Sequence, residues 1–600
     1  MLDRLLPALE AHRGRLAPLP VADAGFLFVF GIGLGRHLPA LIRGVPCRDL
    51  VLIETSAERL RLALLVLDLP GLAAAAAARG MSLRLILEEE PAALQAAVER
   101  AVLETGNTFL DGSWLFLHIA DPVLQAAVPA LAVSLRTLAM SHGFFEDEMM
   151  MLSNAQANLC RGRGALLEER RVAAQPLPAL VVASGPSLDE AALARLKEMA
   201  GRAVLVSCGT TLRILLDNGI RPHLHVEVEN NDRVAEHLEH LATRHDLAGI
   251  TLAASLTVRP RVVALFERTV LFSRRPSGVA GLLVPDERSV SWADPTVANA
   301  AVVVCRLLGF RAVVLLGADF GFRAGQRHHA DGSAYFLEDF EDWESEEGYD
   351  RRLPAVGGGM VRSTWVLELG VRSLEEFLRG AGITVLNASA GAAIAGTREQ
   401  TLDELSFPEP PLPPATALAA AVDGLAAARA VAIGSGAAAV MVGEAIAELE
   451  RRIVDMLAEA EAAQDGFGTM ARRLAAVLPD QGPLLPVLRV VRGSLWSLLR
   501  LGAYFGGRLV EPADQTAFCR QFRAAYVEVV SGMLAELGHT FAKIADGRFD
   551  GDSVYGVYNE CCRQANGRAA AAAETLQRLL ADGISWSVCT GAAKNHRGAG

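Results

Sequence analysis

The stretch Ala179-Leu180-Val181-Val182-Ala183-Ser184-Gly185-Pro186-Ser187-Leu188-Asp189 decides the fold. Its first five residues are apolar and uncharged, the pattern of a strand buried on both faces, as in a parallel sheet. Gly185 permits a sharp turn and a close backbone approach. Pro186 holds φ near the helical value. Ser187 reads as the cap of a helix running to about 199, with Asp189 just behind it. Free N–H groups at such a helix start suit a phosphate. The same residues equally suit a plain capped strand-to-helix turn.

Working outward, the unit repeats. Val204–Ser207 is a strand with Cys208-Gly209-Thr210-Thr211 at its carboxyl end, and the helix after it stops at Asn218-Gly219. His223–Val228 is the next strand, closed by Glu229-Asn230-Asn231-Asp232. Strands over about 250–254 and 269–272 follow. Asp294-Pro295-Thr296 opens a helix, and the strand Arg311–Leu316 runs into Gly317-Ala318-Asp319. Polar residues thus collect at strand carboxyl ends, the edge at which open α/β sheets bind ligands.

The flanks have a different character. Short strands at Leu27–Phe30, Leu50–Ile53, Leu83–Leu87 and Trp114–Ile119 alternate with helical patterns, which predicts an α/β, Rossmann-like domain over 1–145. Residues 146–178 read as a helical connector and 179–405 as the central α/β domain. Five prolines in Pro408–Pro414 suit a linker. Beyond it, 415–595 shows almost only helical periodicity, with helices expected over 416–430, 437–463, 467–478, 485–500, 515–545 and 560–581.

Near the N-terminus, Gly31-Ile32-Gly33-Leu34-Gly35 meets Glu54 at the end of the next strand. This looks like a dinucleotide or S-adenosylmethionine fingerprint, but the third glycine comes early and Arg36-His37 replace the usual residues. A cofactor loop and a Rossmann-like scaffold that helps recognise an acceptor both remain open at this point.

The 600 residues require more than one core. A formal charge of −12 with the two signs interspersed argues against a nucleic-acid binder, which shows a basic stripe. Eight scattered cysteines without CxxC spacing read as reduced thiols of a cytoplasmic protein. Residues 1–16 read as an amphipathic helix without the apolar core of a signal peptide. No run is long and apolar enough for a membrane span. The acidic stretch 338–352 reads as a solvated insertion or as a lid over the site, and nothing in it has metal-ligand spacing, which leaves a divalent cation open.

The order strand, Gly-Pro-Ser-Leu, helix, strand, Cys-Gly-Thr, helix, Gly-Ile-Arg-Pro, strand, Glu-Val-Glu-Asn resembles the central domain of the motility-associated factor flagellin glycosyltransferases. It is also similar to bacterial sialyltransferases and to a 6-hydroxymethylpterin pyrophosphokinase-like family. Asp294-Pro295-Thr296-Val297-Ala298-Asn299, then Gly317-Ala318-Asp319-Phe320, then Val385-Leu386-Asn387-Ala388-Ser389 continue the match over about 179–400. The resemblance implies transfer of a nonulosonic acid, pseudaminic or legionaminic in type, from its CMP-activated form to Ser or Thr of flagellin, with no cofactor required. It implies that Ser184, Gly185, Pro186 and Ser187 lie at the CMP phosphate or ribose, Gly209 and Thr210 in the nucleotide pocket, Glu229 and Asn230 at the ribose or base, Thr296 at the sugar carboxylate or phosphate, and Asn387 in the same site. A pterin pyrophosphokinase and a non-catalytic flagellin-binding protein are the alternatives.

Such a reaction needs charge stabilisation of a phosphate leaving group and a base for the acceptor hydroxyl. The sialyltransferases use a His in the segment that reads Ala355-Val356-Gly357-Gly358-Gly359-Met360-Val361-Arg362 here, and this segment has none. Asp319 and His329 are therefore the catalytic candidates, with His328 beside them.

Overall fold

The structure, a computed structural model, describes residues 24–545 apart from 106–112, 132–142, 161–163, 334–348, 426–435, 479–481 and a scatter of shorter gaps. The helices expected over 1–16 and 560–581, and most of the acidic stretch 338–352, lie outside the described residues. The chain forms two compact units, one built from Met1–Glu148 with Ala437–Lys543, the other from Met149–Gly436.

In the first unit, β1 (Ala24–Phe30), β2 (Cys47–Glu54), β3 (Ser82–Leu87) and β4 (Trp114–Leu117) make a parallel sheet of order β3-β2-β1-β4. Strand β1 is apolar throughout because both its faces are covered. Phe26, Phe28 and Phe30 point to one side, towards Leu94, Val98 and Val102 of the helix Pro91–Thr105. Leu27 and Val29 point to the other, towards Leu38, Ala63 and Leu72 of the three short helices there. The helix Phe467–Val477 packs on Pro91–Thr105, and Arg472 lies 3.7 Å from Asp49 of β2. The helices between 437 and 543, part of what the sequence sets apart as an all-α domain, are therefore built into the same unit as the N-terminal sheet. Around them, the Phe467 and Phe522 rings meet edge to face at 4.9 Å, and the Tyr526 hydroxyl donates to Leu495 O at 2.9 Å.

The second unit carries a sheet of nine strands: β5 (Ala165–Leu166), β6 (Ala179–Val182), β7 (Val204–Cys208), β8 (Leu224–Glu227), β9 (Thr251–Ser255), β10 (Arg268–Phe272), β11 (Ala312–Leu316), β14 (Thr384–Asn387) and β15 (Arg398–Glu399). The strands β12 (Arg351–Pro354) and β13 (Met360–Ser363) form a separate antiparallel hairpin. The order of the large sheet is β15-β14-β11-β6-β7-β8-β9-β10-β5, and every pairing is parallel.

Alternation sorts the side chains of this sheet. Ala179 and Val181 of β6 join one core with the helices Val297–Leu307, Trp365–Gly380 and Pro414–Asp423. Leu180 and Val182 join another with Glu190–Met199 and Thr211–Asp217. Helix Pro414–Asp423, placed by the sequence after the linker, thus buries Ala417, Leu418 and Val422 in the central core. The stretch 146–178 differs from a helical connector as well. Its helix ends at Cys160, and the chain then enters the sheet as β5. From that helix Asn154 Nδ2 donates to Thr257 O, and Asn158 Nδ2 donates to Leu256 O and Val258 O, each at 2.9 Å.

Candidate functional site

From β6 the sheet is built through β7, β8, β9 and β10 in one direction, and from β11 through β14 and β15 in the other. The direction therefore reverses between β6 and β11, and loops leaving two such strands diverge and open a crevice at their carboxyl ends. A cavity of about 550 Å³ lies there, within the second unit. Ser184 and Gly185 line it after β6, Gly209 and Thr210 after β7, Glu227 and Glu229 at the end of β8, and Gly317 to Gly321 after β11.

The Ser-Gly-Pro-Ser turn is held by the protein itself. Gly185 N donates to Gly317 O at 2.8 Å. A Cβ on Gly185 would stand 2.2 Å from Asp319 Oδ2 and 2.4 Å from Gly317 O, so the missing side chain is required by the neighbouring strand end. Ser187 does not cap the helix. Asp189 does, accepting from Ala192 N at 2.8 Å, while Ser187 donates N–H to Asp319 Oδ2 at 2.9 Å and its hydroxyl to Oδ1. The Ser187 hydroxyl also accepts from Ala390 N at 2.7 Å. Neither Pro186 nor Ser187 lines the cavity.

Asp319 is 3% exposed. Burial raises its carboxyl to about 6, against the opposing pull of Ser187, the Gly391 N–H and His329. It borders the cavity, but its oxygens are engaged by Ser187 and Gly391. His329 lines the cavity with its Nδ1 3.3 Å from Ser184 O, and His328 adjoins it with ring centroids 5.0 Å apart.

The remaining expected residues divide. Thr210 donates its hydroxyl to Ser184 Oγ at 3.1 Å, both at the cavity wall. Thr296 lines the cavity and caps Val297–Leu307, accepting from Asn299 N at 3.4 Å. Glu229 opens to the cavity. Desolvation raises its pKa, and Arg274 opposes the rise. Asn230 does not line the cavity. Asn387 is fully buried away from it, accepting from Ser389 N at 3.1 Å and donating to Ala392 O at 3.3 Å.

Sequence reasoning passed over two parts of the site. One is the start of Trp365–Gly380, where Thr364 caps the helix by accepting from Leu367 N at 3.2 Å and Thr364, Trp365, Val366 and Leu367 line the cavity. The other is Glu227. Only 1% exposed at the end of β8, it is pushed up to about 7 by burial, although Val228 N and Glu229 N donate to its Oε1 at 2.8 and 2.9 Å. The signal was present: His225, Glu227 and Glu229 alternate through an otherwise apolar strand, so they share a side.

The chemistry available is clear from these parts. Two helices point capped N-termini at one cavity, and that end of a helix carries partial positive charge that favours an anion. Hydroxyls of Ser184, Thr210, Thr296 and Thr364 stand around it. Among the described residues no group of three or more His, Cys, Asp or Glu could hold a metal ion. No single helix among them is long and apolar enough to cross a membrane; one bent pair, Ala57–Leu64 with Leu69–Ala77, passes by length and composition together.

The N-terminal glycine loop belongs to the first unit. Glu54 is fully buried, and its Oε2 accepts from Ile32 N at 3.1 Å. Its Oε1 accepts from Thr55 N, Ser56 N and Arg59 Nε at 2.9 to 3.2 Å. All three glycines have positive φ, and added Cβ atoms would meet Ile119 at 2.7 Å, His118 at 3.1 Å and Leu67 at 2.9 Å. Both halves of the fingerprint thus make contacts within the protein.

Comparison with known proteins agrees with this architecture. Residues 1–140 match the family model of the glycosyltransferase Maf N-terminal domain, and residues 151–325 match that of the 6-hydroxymethylpterin diphosphokinase MptE-like domain. A comparison with curated protein sequences gives no match. Among solved structures, the Maf glycosyltransferase from Magnetospirillum magneticum AMB-1 shares the fold with a TM-score of 0.71 and 24% identity, over 93% of this chain and 87% of that one. The chain thus carries a region that matches a Maf N-terminal domain, a region behind it that matches an MptE-like domain, and over nearly its whole length the fold of a Maf glycosyltransferase.

Proposed function

We propose that this protein transfers a nonulosonic acid, of pseudaminic or legionaminic type, from its CMP-activated form to Ser or Thr hydroxyls of flagellin in the cytoplasm, serving flagellum assembly and motility. The observation that carries the reading is the cavity at the sheet's reversal point, where two capped helix N-termini and four hydroxyls converge. A CMP-nonulosonate bears a phosphate and a sugar carboxylate side by side, and two anion-favouring helix ends suit two such groups. The departing phosphate is a weak base, so fixed dipoles serve it better than an acid would. Ser184 and Thr210 stand to meet the phosphate or ribose, and Thr296 and Thr364 the sugar carboxylate or phosphate. Asp319 holds the Ser-Gly-Pro-Ser turn in place.

A second reading, phosphoryl transfer to a hydroxymethylpterin, is favoured by the family match over 151–325. The match over 1–140 and the likeness over the whole chain favour glycosyl transfer. Incubating the pure protein with flagellin and CMP-nonulosonate, or with ATP and hydroxymethyldihydropterin, separates the two. Flagellin should gain the mass of one or more nonulosonate residues, and the pterin should be unchanged. Intact-mass analysis of flagellin from cells with and without the protein tests the same reading in its own setting.

A further inference from the structure

We infer that Glu227, and not Asp319 or His329, takes the proton from the attacking acceptor hydroxyl, because its carboxyl is buried in the cavity wall with one oxygen held and the other turned to the space beside Gly209. This role rests on the glycosyl-transfer reading above. A base for such a reaction must reach the cavity, keep an oxygen for the incoming proton, and be ready to gain that proton near neutral pH.

Asp319 fails the second requirement. Ser187 N donates to its Oδ2, Ser187 Oγ to its Oδ1, and the Gly391 N–H also donates to this carboxylate. To accept a proton it would have to release bonds that hold two loops together. His329 has its Nδ1 3.3 Å from Ser184 O, which turns this nitrogen to the backbone of the Ser-Gly-Pro-Ser turn. Glu227 meets all three. Its Oε1 takes the Val228 and Glu229 N–H groups, which fixes the carboxyl at the end of β8. Its Oε2 lies 4.0 Å from the place a Cβ on Gly209 would occupy, so it borders the space that this glycine, lacking a side chain, leaves in the cavity wall. Burial raises its pKa to about 7, which makes it a stronger base than an ordinary carboxylate.

The groups around it are Cys208 at the end of β7, Glu229 two residues on, and His237 of the helix Asp232–Arg244, with Asp319 and His329 also in the cavity lining. Cys208 is held well above the usual thiol range by burial, and His237 is brought down to about 4 by burial, so both are neutral at pH 7. Glu229 carries the same sign as Glu227 and raises it further.

The step balances. The acceptor O–H gives its proton to the Glu227 carboxylate while its oxygen forms a bond to the anomeric carbon. The bond from that carbon to the phosphate oxygen breaks, and its electron pair leaves with CMP. The protonated Glu227 then returns its proton to solvent.

The test uses the full-length protein, CMP-nonulosonate as donor and flagellin as acceptor, with kcat and KM measured from pH 5 to 9 and CMP binding measured by calorimetry. For Glu227→Gln the expected result is a kcat loss of about 100-fold or more, with CMP affinity and donor KM close to wild type. Wild-type kcat should rise through a single ionisation near 7, and this limb should vanish in Glu227→Gln. Glu227→Asp, which keeps a carboxylate, should retain the limb at reduced kcat, and it carries the test if the Gln variant does not fold. Three results would overturn the role: near wild-type kcat in Glu227→Gln, a loss confined to donor KM and CMP affinity (a ribose-holding residue), or a limb that persists there and disappears in His329→Gln. Absence of transfer by the wild type would overturn the donor reading together with the role. Transfer by the wild type with an unaffected Glu227→Gln overturns the role alone.

Discussion

Ser187 donates its backbone N–H to Asp319 Oδ2 at 2.9 Å and its hydroxyl to Oδ1 of the same carboxylate, across 132 positions of chain. This clasp joins the loops leaving β6 and β11, the two strands between which the sheet reverses. The Ser187 hydroxyl also accepts from Ala390 N, so the loop after β14 is drawn in as well. Three strand ends around the site are therefore set by one carboxylate and one serine.

Ser187→Ala removes a donor from a buried carboxylate and leaves Ala390 N without that acceptor. Loss of a hydrogen bond to a charged group costs about 1.5–3 kcal/mol. The expected outcome is a variant less stable by that amount, with weakened CMP binding. Chemical denaturation and calorimetry measure the two effects; wild-type values for both would show that the clasp organises nothing.

Gly185→Ala should destabilise the central unit by roughly 2 kcal/mol or more, since the new methyl would stand 2.2 Å from Asp319 Oδ2 and 2.4 Å from Gly317 O. The cause is contact within the protein, so the lowered midpoint should appear without any ligand. A variant of normal stability that fails only to bind CMP would instead assign the glycine to ligand approach.

Two buried carboxyls make stability depend on pH in an unusual direction. Asp319 is raised from 3.8 to about 6 and Glu227 from 4.5 to about 7. Between its unfolded and folded values each group binds more proton in the folded state, so stability falls as pH rises through that window. Glu227→Gln should therefore gain stability relative to wild type between about pH 4.5 and 7, by up to roughly 3 kcal/mol at 1.36 kcal/mol per unit. Urea midpoints at pH 4.5, 6 and 7.5 check this, and a difference constant with pH would show that Glu227 ionises normally.

Truncation tests the division of the chain. A fragment ending at Glu409 loses helix Pro414–Asp423 and with it Ala417, Leu418 and Val422 of the central core. Burying a Leu or Val side chain is worth about 1.5–3 kcal/mol each. That fragment should be insoluble or partly unfolded, whereas residues 149–436 alone should fold and bind CMP. Circular dichroism and calorimetry on both fragments decide it. A well-folded fragment ending at Glu409 would make that helix dispensable.

Much of the central sheet is legible in the sequence because local chemistry dictates it. Ala179–Ala183 can only be a strand covered on both faces, and the polar stops after each such run mark the carboxyl edge. The resemblance over 179–400 and the cavity positions of Ser184, Gly209, Thr210, Glu229 and Thr296 follow from residues close together in the chain. Tertiary structure alone decided the rest. Whether Ser187 caps its own helix or clasps Asp319 depends on a strand 132 positions away. What a side chain at Gly31, Gly33 or Gly35 would meet depends on Ile119, His118 and Leu67. Glu227 reads as one more charged residue until β7 and β8 lie side by side and close off its solvent. A chain sets its strands by the pattern of neighbouring residues. Burial, proton affinity and the direction of a hydrogen bond are set by whatever distant segment packing brings against each group.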